Sequence, residues 1–211
     1  MIGRLFGLAY AGLMTNLLLT VACLPLVVVL ATTDPGRSWP LLALLAPLLG
    51  PALCGSFAVL ATWSAPAGTF LRVWRATARR SAALVAACTA LVVVLAVDCR
   101  WALGRPAGAL AVPLLAVAMV LAVATTLLAL VVLAERPGFQ LRAACRVSVF
   151  LAVRRWYLTV PSLAVLAVFQ ALLAARPAIA LGLAAAPLLH LVWAGSRFSL
   201  NPVLNLAKGP S

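Results

Sequence analysis

The chain is poor in the residues from which most catalytic and metal-binding sites are made. Its 211 residues include three acids (Asp34, Asp98 and Glu135), one histidine (His190) and one lysine (Lys208). A haem protein draws its axial ligands from residues such as histidine, and zinc-protease motifs need paired histidines, which one histidine cannot supply. The five cysteines, Cys23, Cys54, Cys88, Cys99 and Cys145, are scattered singly with no C-x-x-C pair, so they read as apolar filling in helices. Neither G-x-G-x-x-G nor G-x-x-x-x-G-K-[ST] occurs, which removes the usual phosphate-cradling loops. These absences argue against an oxidoreductase, an ATPase and a metalloprotease. The chain reads as a non-enzyme that needs no cofactor and no metal.

Charge is scarce too. Only 9% of residues are charged while 66% are hydrophobic, and the mean hydropathy is +1.18; a soluble domain carries about 25% charged residues. So much apolar surface cannot be hidden from water in a fold of this size. Six charge-free runs, 5–33, 38–71, 81–97, 106–134, 156–175 and 177–196, are each long enough for a helix across a bilayer, which takes roughly 17–25 residues. None alternates with the period of two that marks a membrane β-strand. The fold class expected is therefore an all-α polytopic membrane protein. It forms one domain over 1–211, with spans near 9–31, 39–63, 81–103, 107–133, 156–175 and 178–195. Arg4 and the apolar stretch after it resemble a secretion signal only loosely, because the run is too long for a signal core; it reads as a retained helix.

The net charge of +13 is a topology signal. With six spans, one side holds twelve cations: Arg4, Arg72, Arg75, Arg79, Arg80, Arg136, Arg142, Arg146, Arg154, Arg155, Arg197 and Lys208. The other side holds four, Arg37, Arg100, Arg105 and Arg176. The positive-inside rule then puts both termini in the cytoplasm. No aromatic-interleaved basic face accompanies the charge, so no nucleic acid is expected as a partner. Fifteen arginines against one lysine, in a chain dominated by Ala and Leu, point to a GC-rich bacterial genome and hence to a bacterial inner membrane.

Two basic segments interrupt the apolar runs. In 70–80, Arg72, Arg75 and Arg79 fall within about 60° on a helical wheel, opposite Phe70, Val73, Trp74 and Thr77. This predicts an amphipathic helix on the cytoplasmic surface, with Arg72, Trp74, Arg75, Arg79 and Arg80 meeting anionic lipid headgroups or a protein partner. Segment 139–155 is a second such stretch, in which Arg142 and Arg146 share a face. Pro47 and Pro51, four residues apart in the second span, predict a kink or break there. Asn16, Gln170 and His190 are the candidate intramembrane polar contacts. The amides read as glue between helices, and the histidine as a neutral interhelical partner, a proton relay or a ligand contact.

Asn16-Leu17-Leu18-Leu19, Cys23-Leu24-Pro25, Gly50-Pro51-Ala52 and Phe70-Leu71-Arg72-Val73-Trp74-Arg75 form an ordered series that resembles the YesL-like family of bacterial membrane proteins, a domain of unknown function. The likeness covers residues 1–85. One departure is that 24 residues separate Pro25 from Gly50, whereas the family places the two motifs within a few residues. The resemblance implies an association with carbohydrate uptake beside a sugar ABC importer, and it supplies no catalytic residues. The resulting expectation is an accessory or interaction protein of carbohydrate uptake. A small solute carrier or channel acting on its own is the alternative.

Overall fold

A computed structural model of the chain describes residues 2–206, apart from 35, 64, 104, 106–107, 155, 176–179 and 181–183. Among the described residues it is helical, with no strand. The helices are α1 (Ile2–Ala22), α2 (Leu24–Thr32), α3 (Trp39–Leu45), α4 (Leu49–Thr62), α5 (Pro66–Ala102), α6 (Gly108–Glu135), α7 (Leu141–Arg154), α8 (Trp156–Ala175) and α9 (Ala185–Leu206). Among the described residues three stretches are long and apolar enough to cross a membrane: Trp39–Thr62, Pro66–Ala102 and Gly108–Glu135. The pair α1 and α2 makes a fourth if it is counted as one bent span.

That pair replaces the single helix expected at 9–31 by two. The axis turns by 75° between Ala22 and Leu24. Pro25 lies in the first turn of α2, where its ring excludes the carbonyl four residues back and its nitrogen donates nothing. After α2 the chain reverses through a turn built on Asp34, whose Oδ1 accepts from the Gly36 amide at 2.9 Å. The Asp34 carbonyl accepts from the Ser38 hydroxyl at 2.8 Å.

Trp39–Thr62 remains one span; its regular α-helix is interrupted at Pro47, while Pro51 sits inside α4. Ala46–Leu48 forms one 3₁₀ turn between α3 and α4, since Pro47 removes a donor from the α-helical ladder. Beyond it, α4 is the centre of the molecule: ten of its fourteen residues are buried, Gly50 to Leu60 with the exception of Leu53. It lies antiparallel to the first half of α5, and the two backbones touch. A methyl group at Gly50 would strike the Ser81 carbonyl oxygen, and it would stand 2.6 Å from the Ser81 carbonyl carbon.

The core gathers at one end of the bundle. Phe57 and Leu60 of α4, Phe70 of α5, Leu130 and Leu133 of α6, and Leu189 of α9 are essentially fully buried. The opposite end is thin. There Leu91, Val94 and Val97 of α5 and Leu110, Leu114, Val117 and Val120 of α6 are all exposed. An apolar surface of this extent needs a non-aqueous cover, and a bilayer supplies one. The protein is a helical, membrane-embedded one.

The C-terminal region also departs from the expected span at 178–195 followed by a short tail. The beginning of that range lies outside the described residues, but α9 runs on as helix to Leu206. Helical hydrogen bonding does not stop where the apolar run stops, and Arg197 in this extension is tied to the end of α6 by an ion pair described below.

Candidate functional site

The end of the bundle that holds the core also holds the unusual chemistry. His190, Trp193 and Arg197 lie at i, i+3 and i+7 of α9, so one helix face carries all three. Two other elements bring side chains to that face. Trp63 follows the last turn of α4, and Glu135 is the last residue of α6. The His190 ring stands edge-on to Trp63 with centroids 5.2 Å apart, and it stacks on Trp193 at 5.5 Å. The Arg197 guanidinium covers the other part of the cluster, 5.1 Å above the Trp193 ring, and its Nε lies 3.5 Å from Glu135 Oε1.

Trp63 occupies this place at some expense of backbone energy. Its φ is 52° and its ψ 19°, the left-handed region that disfavours a side chain by about 1–2 kcal/mol. Ala65, at φ 41°, does the same just before Pro66 opens α5. The two left-handed residues reverse the chain so tightly that Trp63 turns back onto α9. Strain of this kind persists where surrounding contacts over-determine it, and the contact here is with His190.

Three buried polar atoms of the cluster lack a hydrogen-bond partner among the described residues: His190 Nδ1, Trp193 Nε1 and Glu135 Oε1. Glu135 is thus paired in charge without a hydrogen bond at that oxygen. Each such atom in an apolar setting costs about 1–3 kcal/mol. The cluster can donate from an indole, accept at a carboxylate, and do either at an imidazole.

The other expected polar contacts do not assemble with it. Asn16 is buried on α1, where its backbone carbonyl accepts from the Thr20 hydroxyl at 2.8 Å. Gln170 was expected to bond between helices, yet its residue is exposed on α8; a helix-long apolar run shows no face on which an amide must point inward. Gly50 lies in the packed α4–α5 contact, away from His190, which stands at the α4 terminus.

The basic segment 70–80 is also corrected. It is no separate surface helix but the beginning of the 37-residue α5, a rod about 55 Å long. Its predicted faces are right and their neighbour is different: Phe70, Val73 and Thr77 are buried, and Phe70 lies over Gly55 of α4. Arg72, Arg75, Arg79 and Arg80 are exposed and Trp74 is half-buried. Arg80 donates from Nη1 to the Pro137 carbonyl at 3.1 Å, which ties α5 to the link before α7. Arg142 and Arg146, both exposed on α7, therefore belong to the same end as the α5 arginines. Arg155 lies outside the described residues. Replacing Arg72, Arg75 and Arg79 together by Gln should leave the melting temperature in detergent unchanged. It should weaken association with anionic vesicles by at most about 1 kcal/mol per charge. Loss of the folded protein would show that these arginines hold the bundle together.

Sequence reasoning singled out His190 and missed its companions. The stripe His190, Trp193, Arg197 is visible as a helical repeat, but Trp63 and Glu135 reach it only through tertiary structure. No family model, no characterised protein and no solved structure matches this chain.

Proposed function

We propose that this chain is a six-span protein of the bacterial inner membrane with both termini in the cytoplasm. In this reading it serves as an accessory or interaction protein of a carbohydrate importer. The charge asymmetry of the loops supports the topology, and the resemblance of the ordered motifs to those of YesL-like proteins supports the link to carbohydrate uptake. The observation that carries the accessory role is the contact between Gly50 and Ser81. A carrier needs a polar opening at the bilayer midplane, commonly where a broken helix frees backbone groups to face the substrate. Here the 3₁₀ turn at Pro47 leads directly into α4, which at Gly50 is pressed against the backbone of α5 and leaves no opening at that point.

The topology has a direct test. Reporter fusions after Ser211 and within 34–37 should report opposite sides of the membrane, and a periplasmic C-terminus would sink it. The role is tested in liposomes holding the purified chain alone, which should take up no sugar. Saturable uptake lost on Pro51→Ala or His190→Ala would establish the carrier instead, with the His190 cluster as its polar site.

A further inference from the structure

Helix α7 has two unlike faces. Ala144, Ser148, Leu151 and Ala152 are buried against the bundle. The opposite face exposes Arg142, Arg146, Val149, Phe150 and Arg154. Val149 and Phe150 are 45% and 58% exposed, so this outward face suits neither plain water nor plain hydrocarbon. Arg146, Val149, Phe150 and Arg154 line an open groove of about 520 Å³. Its floor is apolar and an arginine stands at each end, the two backbone positions being about 12 Å apart along the helix axis.

We propose that this groove is a binding site for an anionic phospholipid, with the phosphate held by the Arg154 guanidinium over Phe150, Arg146 adding a second positive charge at the other end of the groove, and the glycerol and upper acyl chain lying on Val149 and Phe150. The charge argument is specific to this chain. It has three acids: Asp34 sits in the α2–α3 turn, Asp98 is near the far end of α5, and Glu135 faces Arg197. Among the described residues no carboxylate pairs with Arg146 or Arg154. Arg154 instead rests over the Phe150 ring at 5.6 Å, which keeps its guanidinium above the apolar floor with donors free for phosphate. The groove between α3 and α5, lined by Trp39, Val93, Ala96, Val97 and Arg100, has nearly the same volume, about 490 Å³. It holds one arginine, so it lacks the second positive charge.

A phospholipid fits better than an acidic peptide because half of the lining is aliphatic or aromatic and α7 leads into the apolar α8. The site rests on the reading that the chain lies in a bilayer with α7 at its surface. The test uses the full chain in phosphatidylcholine nanodiscs containing a small fraction of phosphatidylglycerol, with retained lipid counted by native mass spectrometry. Arg146→Gln with Arg154→Gln should lower phosphatidylglycerol retention roughly tenfold to thirtyfold. Arg37→Gln with Arg105→Gln removes the same charge from exposed positions away from α7 and should change it little. Phe150→Ala should lower retention while leaving every charge in place. Equal losses in the two double variants would reduce the effect to diffuse electrostatics and overturn the site. Unchanged retention in the α7 variant overturns it as well, whichever side of the membrane reporter fusions assign to α7. Retention that falls only when an acidic peptide is added as competitor, with no effect of Phe150→Ala, would replace the lipid by a protein partner.

Discussion

An alanine at position 50 should destabilise the protein by about 1–3 kcal/mol, the range for adding a methyl group to a packed core. The obstruction is backbone and cannot rotate away. The new Cβ would meet the Ser81 carbonyl oxygen, with the Ala82 amide nitrogen 3.0 Å off, and both belong to the middle of a 37-residue helix. The helices α4 and α5 would have to part, and α4 is the most buried helix of the molecule. Other glycines calibrate the effect. A methyl at Gly55 meets the Phe70 ring at 2.8 Å; a ring can shift, so Gly55→Ala should cost less. A methyl at Gly68 meets nothing within 4 Å, and Gly→Ala in an open helical position stabilises by about 0.4–1 kcal/mol. Thermal unfolding in detergent should therefore rank Gly68→Ala above the parent, then Gly55→Ala, then Gly50→Ala. A Gly50→Ala protein as stable as the parent would mean that α4 and α5 stand apart, and the case against a carrier would lose its main support.

Local chemistry was legible in the sequence and long-range neighbours were not. Pro47 announces the 3₁₀ turn because a missing amide is a property of the residue itself. The wheel of 70–80 assigns Arg72, Arg75 and Arg79 to one side correctly, since periodicity fixes which residues share a face. It does not say what covers the other face, and the cover of Phe70 is Gly55 of α4 rather than lipid. The 75° turn before Pro25 escaped because hydropathy averages over a run and is blind to direction; the proline was the available signal. The His190 cluster is the clearest case. Its helix stripe lies in the sequence of α9, while Trp63 arrives only through two left-handed residues, a conformation for which Trp and Ala carry no signature.

Cutting the Arg197–Glu135 pair should loosen α9 from α6, and the two ways of cutting it should differ. Most of the Glu135 side chain is buried, at 16% exposure, whereas Arg197 is 49% exposed. Arg197→Gln leaves a largely buried carboxylate with no counter-charge. A fully buried case costs about 3–5 kcal/mol; with Arg197 half in solvent, screening lowers the expectation to about 2 kcal/mol. Glu135→Gln leaves only a neutral amide inside and frees an arginine that solvent can reach, so it should cost about 1 kcal/mol or less. In the protein carrying both changes nothing charged is stranded, and most of the loss should be recovered. Thermal unfolding of the four proteins gives the coupling directly, and additive effects would show that the pair does not hold the helices together. Tryptophan fluorescence supplies a second readout. Arg197 covers Trp193, which stacks on His190, which in turn meets Trp63. Arg197→Gln should shift the emission towards that of more hydrated indoles, and His190→Phe, which keeps the aromatic packing and removes one orphan nitrogen, should not.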